Sequence, residues 1–369
     1  MTTFGPVTTC AHGSARRASV TQEAISLFDS PSDQILSLLA TVKKLTFPPI
    51  TWLVLTVAVC RPASAGSGLS TDLPEAVRQV VVRDQFSNDC DVWLVNSRNL
   101  PCPRNLCEPA ADPQFYHREQ ANWLSTPPED FYETVSPNQI ICVYVHGNRI
   151  SNREARRRGL KLYRLLGGKS GGIRFVIWSW NSDQVRGRIR DARIKATRAD
   201  YESFQLASFL SQLPANSTVS LIGYSFGSRI VAGSLHILAG GQFRGNKLGT
   251  ELLPAIRPRA ILLAGAFHHS WLRPGGAFGL ATTNVDHIYS TINRRDPALK
   301  HFYVTSKYSK PKALGYVGIG QQNLGPNACR VTQHDISNWV GWTHRFDRHI
   351  ESGALMRQVR HFALWNAVN

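Results

Sequence analysis

Residues 219–227 read Val219-Ser220-Leu221-Ile222-Gly223-Tyr224-Ser225-Phe226-Gly227, and the fold is decided by how this stretch is read. An apolar run of strand length enters a small-X-Ser-X-small pentapeptide, the pattern of a nucleophile elbow. At a sharp strand-to-helix turn the residues flanking the serine are pressed against neighbouring backbone, so only glycine-sized side chains fit there. The expectation is a serine hydroxyl exposed at the apex. Ser228 to Ala239 continue with helical apolar spacing and stop at Gly240-Gly241, a normal helix C-terminus. The pentapeptide alone is weak, because a glycine-rich turn produces it too. A strand before it and a helix after it supply the context that the elbow requires.

Outward from this point, short β-branched runs alternate with helical patterns from Val77 onward, which predicts a mostly parallel central sheet flanked by helices, an α/β fold. The candidate strands are Val80 to Arg83, Asp91 to Asn96, Ile140 to Val145, Ile173 to Trp178, Val219 to Ile222, Ala260 to Ala264, His287 to Ile292 and Ala328 to Thr332. The clearest amphipathic helices are Asn152 to Leu166 and Arg198 to Leu213. Residues 98–138, rich in Pro, Asn and Asp, read as an irregular excursion.

The run Ile140 to Val145 ends in His146-Gly147-Asn148, one crossover strand upstream of the elbow. An oxyanion formed at Ser225 needs two donors, the amide after the serine and one from this earlier loop, so Phe226 and Asn148 are the expected oxyanion-hole positions. Gly147 permits close backbone approach, and His146 is expected to hydrogen-bond under the loop rather than act as a base.

Together these motifs resemble the α/β-hydrolase superfamily over roughly residues 77–369, within its esterase and lipase-like branch. The resemblance implies a serine hydrolase cleaving carboxylic esters, with chain order Ser, acid, His. Asp296 fits the acid: Asn293-Arg294-Arg295-Asp296-Pro297-Ala298-Leu299 resembles the N-x-x-D-x-A-L block of some bacterial members. An Asp-Pro turn with a solvated carboxylate is the alternative. His334, His344, His349 and His361 all follow it. His344, in a loop before the helical pattern Arg345 to Val359, is the expected base, His349 the second choice, and Asp335 the fallback acid. No cofactor and no metal is implied. Two further readings stay open: a catalytically silent hydrolase fold that binds polyanions, and the same triad serving a thioesterase or peptidase.

Composition bounds the setting. The chain of 369 residues carries 42 Lys and Arg against 25 Asp and Glu, a net charge of +17. Pro48 to Val59 is an apolar run after Lys43-Lys44 and leads to Pro62-Ala63-Ser64-Ala65, which predicts a signal peptide with cleavage after Ala65 and a secreted or periplasmic protein. A membrane anchor through residues 48–59 is the alternative. Cleavage removes five basic and three acidic residues and leaves +15. The basic clusters at 149–169 and 186–198 read as solvated faces that attract polyanions weakly, with no nucleic-acid motif beside them. The expected partner is a small-molecule ester. Cys142 reads as a buried thiol, leaving Cys90, Cys102, Cys107 and Cys329 as candidates for disulfides.

Overall fold

The computed structural model describes residues 91–100, 112–168, 172–250 and 255–365, all within one compact unit that spans Arg83–Asn369. The signal-peptide segment, the candidate strand at Val80 to Arg83, and Cys90, Cys102 and Cys107 lie outside the described residues.

Among the described residues nine strands form one sheet: β1 (Val92–Asn96), β2 (Gln114–Glu119), β3 (Asn122–Thr126), β4 (Ile140–Val145), β5 (Ile173–Ser179), β6 (Thr218–Tyr224), β7 (Arg259–Leu263), β8 (His287–Ile292) and β9 (Val331–Asp335). Their order is β3-β2-β1-β5-β4-β6-β7-β8-β9. Only β2 runs against the rest, since β1 and β3 pair with it antiparallel and every other pairing is parallel. β5 and β6, like β4 between them, are buried almost throughout, which is why they read as continuous apolar runs rather than alternating ones.

The helices are α1 (Pro128–Glu133), α2 (Asn152–Leu165), α3 (Arg188–Ser211), α4 (Phe226–Leu238), α5 (Pro297–Lys300), α6 (Leu314–Val317), α7 (Ser337–Val340), α8 (Phe346–Glu351) and α9 (Gly353–Ala363). Ser151 caps α2 by accepting the Glu154 amide at 3.2 Å, satisfying an amide that has no intrahelical acceptor. α3 packs along α4, and the contact includes a buried ion pair: Arg229 Nε and Nη2 grip the two oxygens of Asp200 at 2.7 and 3.0 Å. Glu202, also on α3, is buried under the ends of β1 and β5, where its Oε2 accepts from Ser97 Oγ at 2.7 Å and Trp178 Nε1 at 3.2 Å. Burial, only partly offset by those bonds, pushes its carboxyl up to about 7.

Three expectations are corrected. The segment 98–138 holds a β-hairpin, β2 and β3, and then α1 capping its own aromatic cluster, with Phe131 against Trp93 at 5.1 Å and Phe209 at 5.3 Å. Its turn-forming residues mark short elements, not the lack of them. β9 begins at Val331 rather than Ala328, because Pro326 starts a 3₁₀ helix over Gly325–Arg330. α3 starts ten residues before the expected Arg198, since its first buried positions are Asp191 and Lys195 and give no apolar period. Cys142 is a buried free thiol and Cys329 is exposed. No described helix is long and apolar enough to cross a membrane.

Candidate functional site

β6 delivers Ser225 directly into α4, and the residue adopts φ 57° and ψ −117°. That left-handed backbone costs an L-residue of order 1–3 kcal/mol and persists only where the surroundings impose it. The Ser225 amide donates to Leu263 O at 2.9 Å, and its carbonyl accepts from Ser228 at 3.0 Å and Ala266 at 3.2 Å. Crowding explains the flanking glycines. A Cβ at Gly227 would stand 2.0 Å from Val145 O, and one at Gly223 would stand 2.6 Å from Ser228 N and Cα.

Contrary to the expected exposed apex, Ser225 is only 5% exposed. The sharp turn aims its hydroxyl at the loop after β9, where His344 Nε2 lies 2.9 Å from Ser225 Oγ. On the other side of the ring, His344 Nδ1 lies 2.6 Å from Asp296 Oδ2. The histidine side chain is 24% exposed and is the accessible part of the group.

Asp296 divides its carboxylate. Oδ2 faces the ring, while Oδ1 accepts the Ala298 and Leu299 amides at 2.9 and 3.1 Å as the N-cap of α5, with Pro297 at the first helical position. The Asp-Pro turn is therefore present, but its carboxylate is fully buried instead of solvated. Asp335 is partly exposed and bonds Ser337 and Arg294, away from the ring.

The other histidines lie elsewhere. His349 is buried on α8, with Nδ1 3.0 Å from Arg345 O, and burial pushes it down to about 4 against that hydrogen bond. It packs on Tyr224 at 5.2 Å, while the Ser225 hydroxyl bonds His344 instead. His334 sits on β9 against Tyr289 Oη at 3.2 Å, and His361 packs on Phe362.

The loop after β4 reaches the same end of the sheet. A Cβ at Gly147 would lie 3.1 Å from Ser225 Cβ and 3.2 Å from Tyr224 O, a tight fit that glycine relieves where this loop passes Ser225. Phe226 opens α4, where an amide has no intrahelical acceptor. His146 underpins the loop: Nδ1–H donates to Gly147 O at 2.9 Å, Nε2 accepts the Trp180 amide at 3.3 Å, and the ring stacks on Trp180 at 5.7 Å. Burial pushes His146 down to about 3 despite the Gly147 bond, so the ring is neutral near pH 7.

Three positioning residues carried no assigned role in the sequence reading. Tyr224 Oη donates to His344 O at 2.5 Å, and burial raises its phenol well above the ordinary range. Asn293, the first residue of the acid block, donates from Nδ2 to Gly341 O at 2.9 Å and so ties the acid loop to the histidine loop. Asp191, buried on α3, accepts Asn148 Nδ2 at 2.9 Å and Arg149 Nε at 2.8 Å on Oδ2, and Val185 N at 2.9 Å on Oδ1. Burial pushes its carboxyl up, but those three donors outweigh burial and hold it below the usual range. Tyr224 and Asn293 were signalled by their places in the two motifs. Asp191 had no such signal, lying among arginines that read as a solvated face. Trp178, Trp180 and Phe267 near the site are fully buried core.

The mostly parallel sheet, its crossover at β5-β4-β6 and the strained serine between β6 and α4 make this an α/β-hydrolase-like fold. No protein-family model and no curated protein matches the chain. Among solved structures it is similar to esterase B from Lactobacillus rhamnosis (HN001), at 14% identity and TM-score 0.38 over 78% of this chain and 92% of that one. It is similar also to an inhibited form of esterase B from Lactobacillus rhamnosis, at 14% identity and TM-score 0.36 over 79% and 94% of the two chains. A proposed cell surface hydrolase from Lactobacillus plantarum WCFS1 aligns at 12% identity and TM-score 0.37 over 64% and 95%.

Proposed function

We propose that the protein is a serine hydrolase that cleaves carboxylic esters through an acyl-enzyme on Ser225. The observation that carries this reading is the unbroken line from Ser225 Oγ through the His344 ring to Asp296, at 2.9 and 2.6 Å. Both distances lie within hydrogen-bond reach for a nucleophile, its base and the group that orients the base.

In the forward step Ser225 Oγ bonds to the ester carbonyl carbon while its proton passes to His344 Nε2. The carbonyl electron pair moves onto oxygen, where the Phe226 and Asn148 amides receive it. Asp296 holds the Nδ1–H tautomer and stabilises the imidazolium. Collapse of the tetrahedral species breaks the bond to the alcohol oxygen, which takes the proton from His344. Water then attacks the acyl-enzyme, gives a proton to His344, and releases the acid as Ser225 regains its hydrogen. No cofactor enters this scheme.

A fluorophosphonate probe tests it. Wild type labels at Ser225, and Ser225→Ala and His344→Ala both lose the label while His349→Gln keeps it. A folded wild type that does not label refutes the reading and favours a silent, surface-binding fold. Export with cleavage after Ala65 belongs to the same proposal, and N-terminal sequencing of the protein from an exporting host checks it by finding Gly66 first.

A further inference from the structure

Three segments leave the carboxyl end of the sheet on the side that holds Ser225: residues 184–190 after β5, 294–312 after β8 and 341–345 after β9. They are tied into one rim. Arg193 of α3 donates to Val304 O at 3.1 Å and to Ser306 O at 3.4 Å, Asn293 holds Gly341, and Asp296 holds His344. Asp296 is the one acidic residue in the three segments, and it is fully buried. Arg186, Arg188, Arg190, Lys307, Lys310 and Lys312 are all exposed on them, and among the described residues none of the six has an ion-pair partner.

The same rim carries large apolar side chains facing solvent: Tyr308 at 97% exposure, Trp342 at 75%, Ile189 at 51% and Tyr303 at 44%. Elsewhere among the described residues the exposed large apolar side chains are Leu124, Leu280 and Trp339. Unpaired cations interleaved with Trp and Tyr on protruding loops match the chemistry of an anionic bilayer surface, where basic groups meet lipid phosphates and amphipathic rings settle at headgroup depth.

From these features we infer that this rim docks the protein peripherally on anionic phospholipid membranes, with the exposed edge of the His344 ring turned toward the lipid. Charge and exposed apolar area act together here. A nucleic acid would satisfy the charge but would call for a groove of stacking platforms, whereas these side chains are spread over three segments that protrude into solvent. Docking does not depend on the ester reading, so a Ser225→Ala protein binds as wild type does. Where both hold, the substrate is a lipid ester taken from the membrane itself.

The test is co-sedimentation of the full chain with vesicles of phosphatidylcholine alone and with about one third phosphatidylglycerol, at low and high salt. Three proteins are compared with wild type: a rim triple (Arg186→Ser, Arg188→Ser, Arg190→Ser), an aromatic double (Tyr308→Ser, Trp342→Ser), and a control triple (Arg164→Ser, Lys247→Ser, Arg257→Ser) that removes equal charge from exposed positions at the opposite edge. Thermal unfolding verifies that each is folded, and residues 48–59 are common to all. The expected result is salt-sensitive binding to the anionic vesicles, weakened at least about tenfold by the rim triple, clearly reduced by the aromatic double and unchanged by the control. Binding that ignores lipid charge, equal losses from both triples, or rim-dependent binding to a single-stranded RNA homopolymer without vesicle binding would each overturn the inference.

Discussion

Asp296→Asn separates the two tasks of one carboxylate. The aspartate uses Oδ1 to cap α5 through the Ala298 and Leu299 amides and Oδ2 to orient His344 Nδ1 at 2.6 Å. An asparagine has one acceptor oxygen, and the two amides claim it, because turning the side chain over would point NH₂ at two N–H donors. Its Nδ2 then faces the histidine and forces Nδ1 to accept. The ring proton moves to Nε2, toward Ser225, and the base can no longer take the serine proton. Serine proteases lose on the order of 10⁴-fold in kcat for this exchange, about 5.5 kcal/mol of barrier. Stability should fall far less. Asn caps helices about as well as Asp, so the loss is one charge-assisted bond, about 1.5–3 kcal/mol or roughly 3–12 °C in Tm for a domain of this size. Turnover of p-nitrophenyl esters measured beside thermal unfolding gives both numbers. A folded Asp296→Asn protein that keeps activity within tenfold of wild type would refute the assignment of the acid.

Gly227→Ala places a methyl 2.0 Å from Val145 O, and since both partners are backbone, β4 and α4 must part; the expected loss exceeds the usual 1–3 kcal/mol of overpacking and shows as a sharply lowered Tm or no soluble protein. Asn293→Ala frees the Gly341 carbonyl and loosens the histidine loop, so kcat should fall with KM little changed, at a stability cost of about 1–3 kcal/mol in denaturant titration. Glu202 binds its proton more tightly when folded, with its carboxyl pushed up to about 7 from 4.5, so the stability tied to protonation is full below 4.5 and is lost as pH rises through 7. Glu202→Gln keeps an oxygen for Ser97 and Trp178, so it should stabilise the protein by about 2–3 kcal/mol at pH 8 and hardly at all at pH 4.5, as urea titrations at the two pH values will show.

What could be read from the sequence is what backbone crowding or complete burial dictates. Gly223 and Gly227 announce the elbow because a Cβ has nowhere to go, and β4, β5 and β6 announce themselves because both faces are covered. Chain order points to Asp296 and to a histidine after it, and the geometry brings His344 rather than His349 to Ser225. Features set by distant partners stayed hidden. The hairpin at β2 and β3 alternates too weakly to stand out among turn residues, and the early turns of α3 bury charges in place of an apolar stripe. Asp191 looks like a solvated carboxylate until Asn148, Arg149 and Val185 are seen to converge on it. The covering of Ser225 is likewise a product of packing that no local pattern records.

Ser225 keeps only 5% of its surface open to solvent, and the His344 side chain beside it keeps 24%. If Ser225 is the nucleophile, an ester must approach it beside the imidazole, and esters of straight acyl chains should turn over faster than branched ones of equal carbon number. Trimming the side chains that cover Ser225 should then broaden the range of esters accepted.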